Sequence, residues 1–111
     1  MKPRKYRNQP VVVDNLRFDS KAEAKRYGEL TLLQKAGEIS RLEVQPKYVI
    51  KIAGKLVCTY KGDFRYLDTR TSQWTLEDVK SPATAKNPTY RLKKKLVEAL
   101  YAPLKIVEVM K

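Results

Sequence analysis

The sequence predicts an α/β domain of the α+β kind, with one mixed sheet, two long helices and an N-terminal β-hairpin. Three features carry this expectation. Apolar residues alternate with polar ones through 41–52, 56–66 and 74–80, the period of half-buried strands. Two segments, Ser20 to Ala36 and Thr89 to Tyr101, instead carry helix formers between capping signals. The last apolar run, Leu104 to Val109, follows the second helix, and a strand-helix-strand unit closes as a right-handed crossover with parallel strands. A chain of 111 residues fits one domain, 1–111, with one modest core.

The elements follow from local chemistry. Residues 1–9, with Lys2, Arg4, Lys5 and Arg7 and no apolar period, read as a flexible basic arm, suited to phosphate contact or to solubilisation alone. Asp14-Asn15 tolerates the left-handed backbone and joins Val11-Val12-Val13 to Leu16-Arg17-Phe18 as a hairpin. Ser20 and Glu23 have capping-box spacing, and Gly37 ends the first helix. Tyr27, Leu30 and Leu33 face its core side. Glu23 shares that phase, so its carboxylate is expected near the inward face as well as at the helix start.

In the strand run 41–52, Pro46 lacks a ladder donor and implies an edge or a bulge after Gln45. Ala53-Gly54-Lys55 is the turn into the next strand. Leu56, Cys58, Tyr60, Gly62, Phe64 and Tyr66 share one side of that strand, leaving Asp63 on the polar side with Lys61 and Arg65. On the third strand Trp74, Leu76, Asp78 and Lys80 share a face and Glu77 takes the other. Ser81 to Pro88 is expected to be a loop. Thr89 is expected to cap a helix with Leu92, Leu96, Ala99 and Leu100 inward and Arg91, Lys94, Lys95 and Glu98 mostly outward, ended by Pro103.

Charge and composition narrow the function classes. With 24 Lys and Arg against 12 Asp and Glu, the net charge of +12 suits a polyanionic partner, and DNA leads. No apolar run of about 18 residues exists, so a membrane is disfavoured. The basic N-terminus lacks a secretory apolar segment, and a cytoplasmic location is expected. Cys58 stands alone and is expected to be a small packed side chain. The chain has no histidine, which excludes imidazole-based hydrolysis and most zinc sites. Catalysis would have to use carboxylates, lysine and a metal ion.

Two acids on neighbouring strands, Asp63 and Asp78, with Lys80 two residues after the second, are the residue types that hold a divalent cation beside a phosphate. Alone, an Asp and a Lys spaced as Asp78 and Lys80 are on a strand most often form only a surface ion pair. Glu23 reads equally as a helix cap. The order of elements, with an acid on one core strand and an acid-x-Lys on the next, resembles the PD-(D/E)xK nuclease superfamily. Phe18-Asp19-Ser20-Lys21-Ala22-Glu23-Ala24, Gly62-Asp63-Phe64-Arg65-Tyr66 and Glu77-Asp78-Val79-Lys80 are similar to small phage-encoded members of that group.

The resemblance implies a restriction-endonuclease-like αβββαβ core. It implies Mg²⁺ or Mn²⁺ held by Asp63, Asp78, the Val79 carbonyl and Glu23, with Lys80 orienting the attacking water. Gly62 stands where the pattern has proline, and permits a bulge or a close backbone approach. Lys93-Lys94-Lys95, with Tyr90 and Arg91, is the strongest basic cluster and Lys86 lies just before it; Lys86, Tyr90, Arg91, Lys94 and Lys95 are expected to contact phosphates, although such a face is also commonly just solvated. The expectation is a metal-dependent DNA endonuclease, structure-selective for branched or junction DNA, acting by analogy as a homodimer in the cytoplasm of a phage's host. The alternative is a non-catalytic nucleic-acid-binding module on the same fold.

Overall fold

A computed structural model describes residues 10–111, so the basic arm expected over 1–9 lies outside the described residues. The elements are β1 Val11–Val13, β2 Leu16–Phe18, α1 Lys21–Lys35, β3 Ile39–Val44, β4 Lys47–Ile52, β5 Lys55–Lys61, β6 Phe64–Asp68, β7 Gln73–Lys80, α2 Pro82–Ala85, α3 Pro88–Leu100 and β8 Lys105–Met110. The class is the expected α/β mixture. A four-stranded sheet runs β3-β6-β7-β8, with β7 and β8 parallel and the other neighbours antiparallel. Among the described residues no helix is long and apolar enough to cross a membrane.

Local signals account for the early elements. Asp14 and Asn15 both adopt positive φ, 53° and 63°, as a two-residue hairpin turn requires. Ser20 caps α1 by accepting from the Glu23 N–H at 3.2 Å, and Gly37 follows the helix at φ 81°.

The main departure from expectation is a break in two strands. Runs 41–52 and 56–66 each split, at Gln45-Pro46 and Gly62-Asp63, so one long hairpin becomes β3 with β6 in the sheet and β4 with β5 as a separate ribbon. Pro46 cannot donate to the ladder. Beside it Gln45 turns to φ 56°, and its side-chain amide donates to the Arg17 carbonyl at 2.9 Å. The backbone still bridges the kink, because Gln45 N–H donates to the Asp63 carbonyl at 2.8 Å and Gly62 N–H to the Pro46 carbonyl at 3.0 Å. The kink cancels the expected common parity of Tyr60 and Phe64. Tyr60 packs in one core cluster with Tyr48, Leu76, Val97 and Ile106, and Phe64 in the other with Phe18, Leu30 and Val79. The first cluster lies under α3 and the ribbon, the second under α1.

Two further corrections concern the C-terminal third. The expected 81–88 loop contains α2, capped by Ser81, and α3 begins at Pro88 with Asn87 rather than Thr89 as its cap. Proline at the first helical position gives up a donor that would be orphaned anyway. The buried stripe of α3 runs through Tyr90 and Val97, leaving Leu92 and Leu100 exposed, because the helix turns its phase to meet the ribbon as well as the sheet.

Candidate functional site

Asp63, the first candidate residue, stands where the ribbon parts from the sheet. Asp63 is the first residue past the kink, and its N–H donates to the Glu77 carbonyl at 3.0 Å. Its carboxylate Oδ2 accepts from the Val79 N–H at 2.7 Å. The side chain thus takes the ladder position that the strand would have filled had it continued alongside β7. In an extended strand a residue's N–H and C=O point to the same neighbour, so the Val79 carbonyl opens toward this fork too. Gly62 is required for the approach: a Cβ there would lie 2.5 Å from Leu76 Cδ1. The close-approach role expected of this glycine is the one it fills.

Glu23 reaches Asp63 from α1. Its Oε2 accepts from the Asp19 N–H at 3.0 Å, so it serves the helix start and the site together, and the two readings of this residue are compatible. Burial first, and then the Asp63 charge, push the Glu23 carboxyl up to about 7. Asp63 is also raised, by burial, against the Val79 N–H and the Lys80 and Lys61 charges, which favour its ionised form. Two acids side by side and partly withdrawn from water do not both ionise easily.

Asp78 and Lys80 share the α3 face of β7, as expected, with Lys80 Nζ 3.5 Å from Asp78 Oδ1. Asp78 is 1% exposed, and its Oδ2 has no hydrogen-bond partner among the described residues. Burial raises its carboxyl to about 6, Lys80 pulls it down and Glu108 adds to the rise. The Lys80 ammonium also stands 4.3 Å over the Tyr90 ring, whose hydroxyl donates to Glu108 at 2.7 Å. Lys80 is therefore the cation felt by both aspartates.

Glu77 faces away from Lys80, as strand alternation requires. It is 1% exposed and gripped by Arg26 through 2.8 and 2.7 Å bonds and by the Tyr66 hydroxyl. This bidentate pair fastens α1 to β7 one turn after Glu23, and so sets where Glu23 meets Asp63.

These donors bear on a hard divalent cation in three ways. Glu23 and Asp63 form an oxygen pair at the fork, the Val79 carbonyl opens to it, and Asp78 keeps an uncommitted buried oxygen. The donor types fit Mg²⁺ or Mn²⁺. Among the described residues, however, no group of three acidic side chains converges on one point, because Asp78 lies against Lys80 and Glu108.

The expected basic cluster is divided by the phase of α3. Lys86, Arg91 and Lys95 are exposed. Lys94 is half-buried and paired with Glu98 at 3.2 Å. Tyr90 is buried, with one ring face under Lys80, so it packs and positions and leaves no ring for a base. Glu108 and Arg26 were not legible as site residues. Strand parity places Glu108 with Ile106, but only the parallel register sets it beside Asp78.

Fold and site together define a mixed α/β domain whose sheet fork carries buried acids and a lysine. The chain belongs to the DUF1064 family, described as a protein of unknown function, whose profile matches residues 3–111. Neither the curated proteins nor the solved structures compared with it yield a match.

Proposed function

We propose that this protein is a metal-dependent deoxyribonuclease, an endonuclease that hydrolyses phosphodiester bonds, with branched DNA as its substrate. The observation that carries the reading is the fork itself. Half-buried Glu23 meets Asp63 at the fork, and buried Asp78 lies against Lys80, whose charge both aspartates feel, in a strongly basic domain. Keeping such groups there costs stability, and a ligand cation would offset that cost.

In this reading Asp63, Glu23, the Val79 carbonyl and Asp78 are the residues that would hold Mg²⁺ or Mn²⁺. The chemistry that the ion supplies when bound is polarisation of the phosphate and acidification of water. Lys80 orients the attacking water and offsets charge on the phosphate in the transition state. The Val79 N–H fixes the Asp63 carboxylate. Exposed Lys86, Arg91 and Lys95 grip phosphates without reading sequence. Cutting both strands engages a second copy of the chain.

The test incubates supercoiled plasmid and a labelled four-way junction with Mg²⁺ or Mn²⁺, comparing wild type with Asp63→Ala, Asp78→Ala and Lys80→Ala. Metal-dependent cutting lost in all three variants supports the enzyme. The second reading is a non-catalytic nucleic-acid-binding module, favoured by the position of Asp78 against Lys80 and Glu108, apart from the Glu23–Asp63 pair, among the described residues. Binding without cutting on every substrate selects it.

A further inference from the structure

The β4–β5 ribbon carries positive charge with no acid of its own. Between Lys47 and Lys61 the sequence holds four lysines, Lys47, Lys51, Lys55 and Lys61, and no acid. None of these four takes part in an ion pair among the described residues, although Arg26, Arg65, Lys80 and Lys94 all do. Lys47 and Lys61 are directly opposite each other in the register, and both are exposed. Like charges directly opposite each other across a strand pair are destabilising. The pair sits at the base of the ribbon, next to the kink, and Lys61 is two residues before Asp63, whose carboxylate feels its charge. From the other side Lys93 of α3 lays its ammonium on the Thr59 carbonyl at 3.3 Å, extending the cationic band.

We infer that the β4–β5 ribbon is a nucleic-acid-binding arm, in which Lys47 and Lys61 clamp the sugar-phosphate backbone that runs into the fork. The inference rests on the nuclease reading for its substrate and adds a contact surface outside the α3 cluster. Three facts point to a polyanion. Neither lysine is in an ion pair among the described residues, Lys61 lies two residues before Asp63 of the proposed metal site, and the kink at Pro46 and Gly62 carries the ribbon out of the sheet beside it. The ribbon also exposes Val49, Leu56 and Val57, the surface on which a second copy would dock. Two such arms carry the same charge, which opposes that pairing.

The experiment titrates a short fluorescein-labelled DNA duplex with the full chain in EDTA at several salt concentrations, by anisotropy, alongside thermal melts and sedimentation. Lys47→Gln/Lys61→Gln is compared with Lys35→Gln/Lys105→Gln, which removes the same charge from the far end of the domain. The ribbon variant is expected to bind about tenfold more weakly at 0.1 M salt, with the slope of log K against log salt reduced by about 1.8, that is about 0.9 per lost phosphate contact. Its melting temperature should equal or exceed that of wild type, because a repulsion has been removed. Equal losses in both double variants, or an unchanged slope in the ribbon variant, overturn the arm while leaving the nuclease reading intact. A ribbon variant that binds normally but sediments as a smaller species overturns it in favour of self-association. No binding by wild type itself removes the nucleic-acid reading and the arm together.

Discussion

The Asp63 carboxylate accepts the Val79 N–H at 2.7 Å, so a side chain closes the ladder where the backbone has left the sheet. That bond joins the first acid to the peptide linking Asp78 to Val79. It explains how residues 15 or more apart in sequence meet without a shared strand face. It also couples stability to the ionisation of the site.

Both Glu23, at about 7, and Asp78, at about 6, bind a proton more tightly in the folded chain than in the unfolded one. Their stabilising contribution is complete below the unfolded carboxylate range near pH 4 and is lost as pH rises through about 6 and 7. Urea unfolding should therefore show falling stability from pH 5 to pH 8. Asp78→Asn, which cannot ionise, should gain about 1–3 kcal/mol over wild type at pH 8 and little at pH 4.5. A wild-type curve that climbs across this range contradicts the buried-acid account.

Divalent cations should reverse that loss. Mn²⁺ at about a hundredfold excess over its dissociation constant should add about 2.7 kcal/mol of stability at pH 8, and much less at pH 5.5, where protons hold the same oxygens. Differential scanning fluorimetry reads this without any substrate. Asp63→Asn should abolish the shift, and a shift of equal size in that variant would place the ion elsewhere.

Removing Glu77 leaves the Arg26 guanidinium without its partner in a half-buried position. Glu77→Ala should cost about 3–5 kcal/mol, read as a drop in the urea midpoint. Pairing it with Arg26→Met should recover a large part of that stability. If the double variant still fails to cut DNA in Mn²⁺ while melting near wild type, the pair acts by placing Glu23.

Gly62→Ala drives a methyl into Leu76 at 2.5 Å. The cost should be about 1–3 kcal/mol, and the forced shift of the kink should weaken the Mn²⁺ thermal response more than the melting temperature alone. Adding Leu76→Ala restores room, so recovery of both readouts in that double variant is the expected outcome.

Much of this molecule was legible along the chain. Residue periodicity and capping chemistry located both major helices, the Asp14-Asn15 hairpin, the face shared by Asp78 and Lys80, and the parallel β7–β8 pair. Those features depend on neighbours a few residues away, where sequence spacing and geometry are nearly the same thing. Pro46 and Gly62 also signalled irregularity, though not its consequence. Only the tertiary structure decided that two strands break together, that Tyr60 and Phe64 part to opposite layers, and that α3 buries Tyr90 and Val97 and exposes Leu92. It also decided that Glu23 meets Asp63 and that Glu108 stands beside Asp78. Strand register and helix phase are fixed by which packing excludes most water across the whole domain, a quantity no local window of sequence contains.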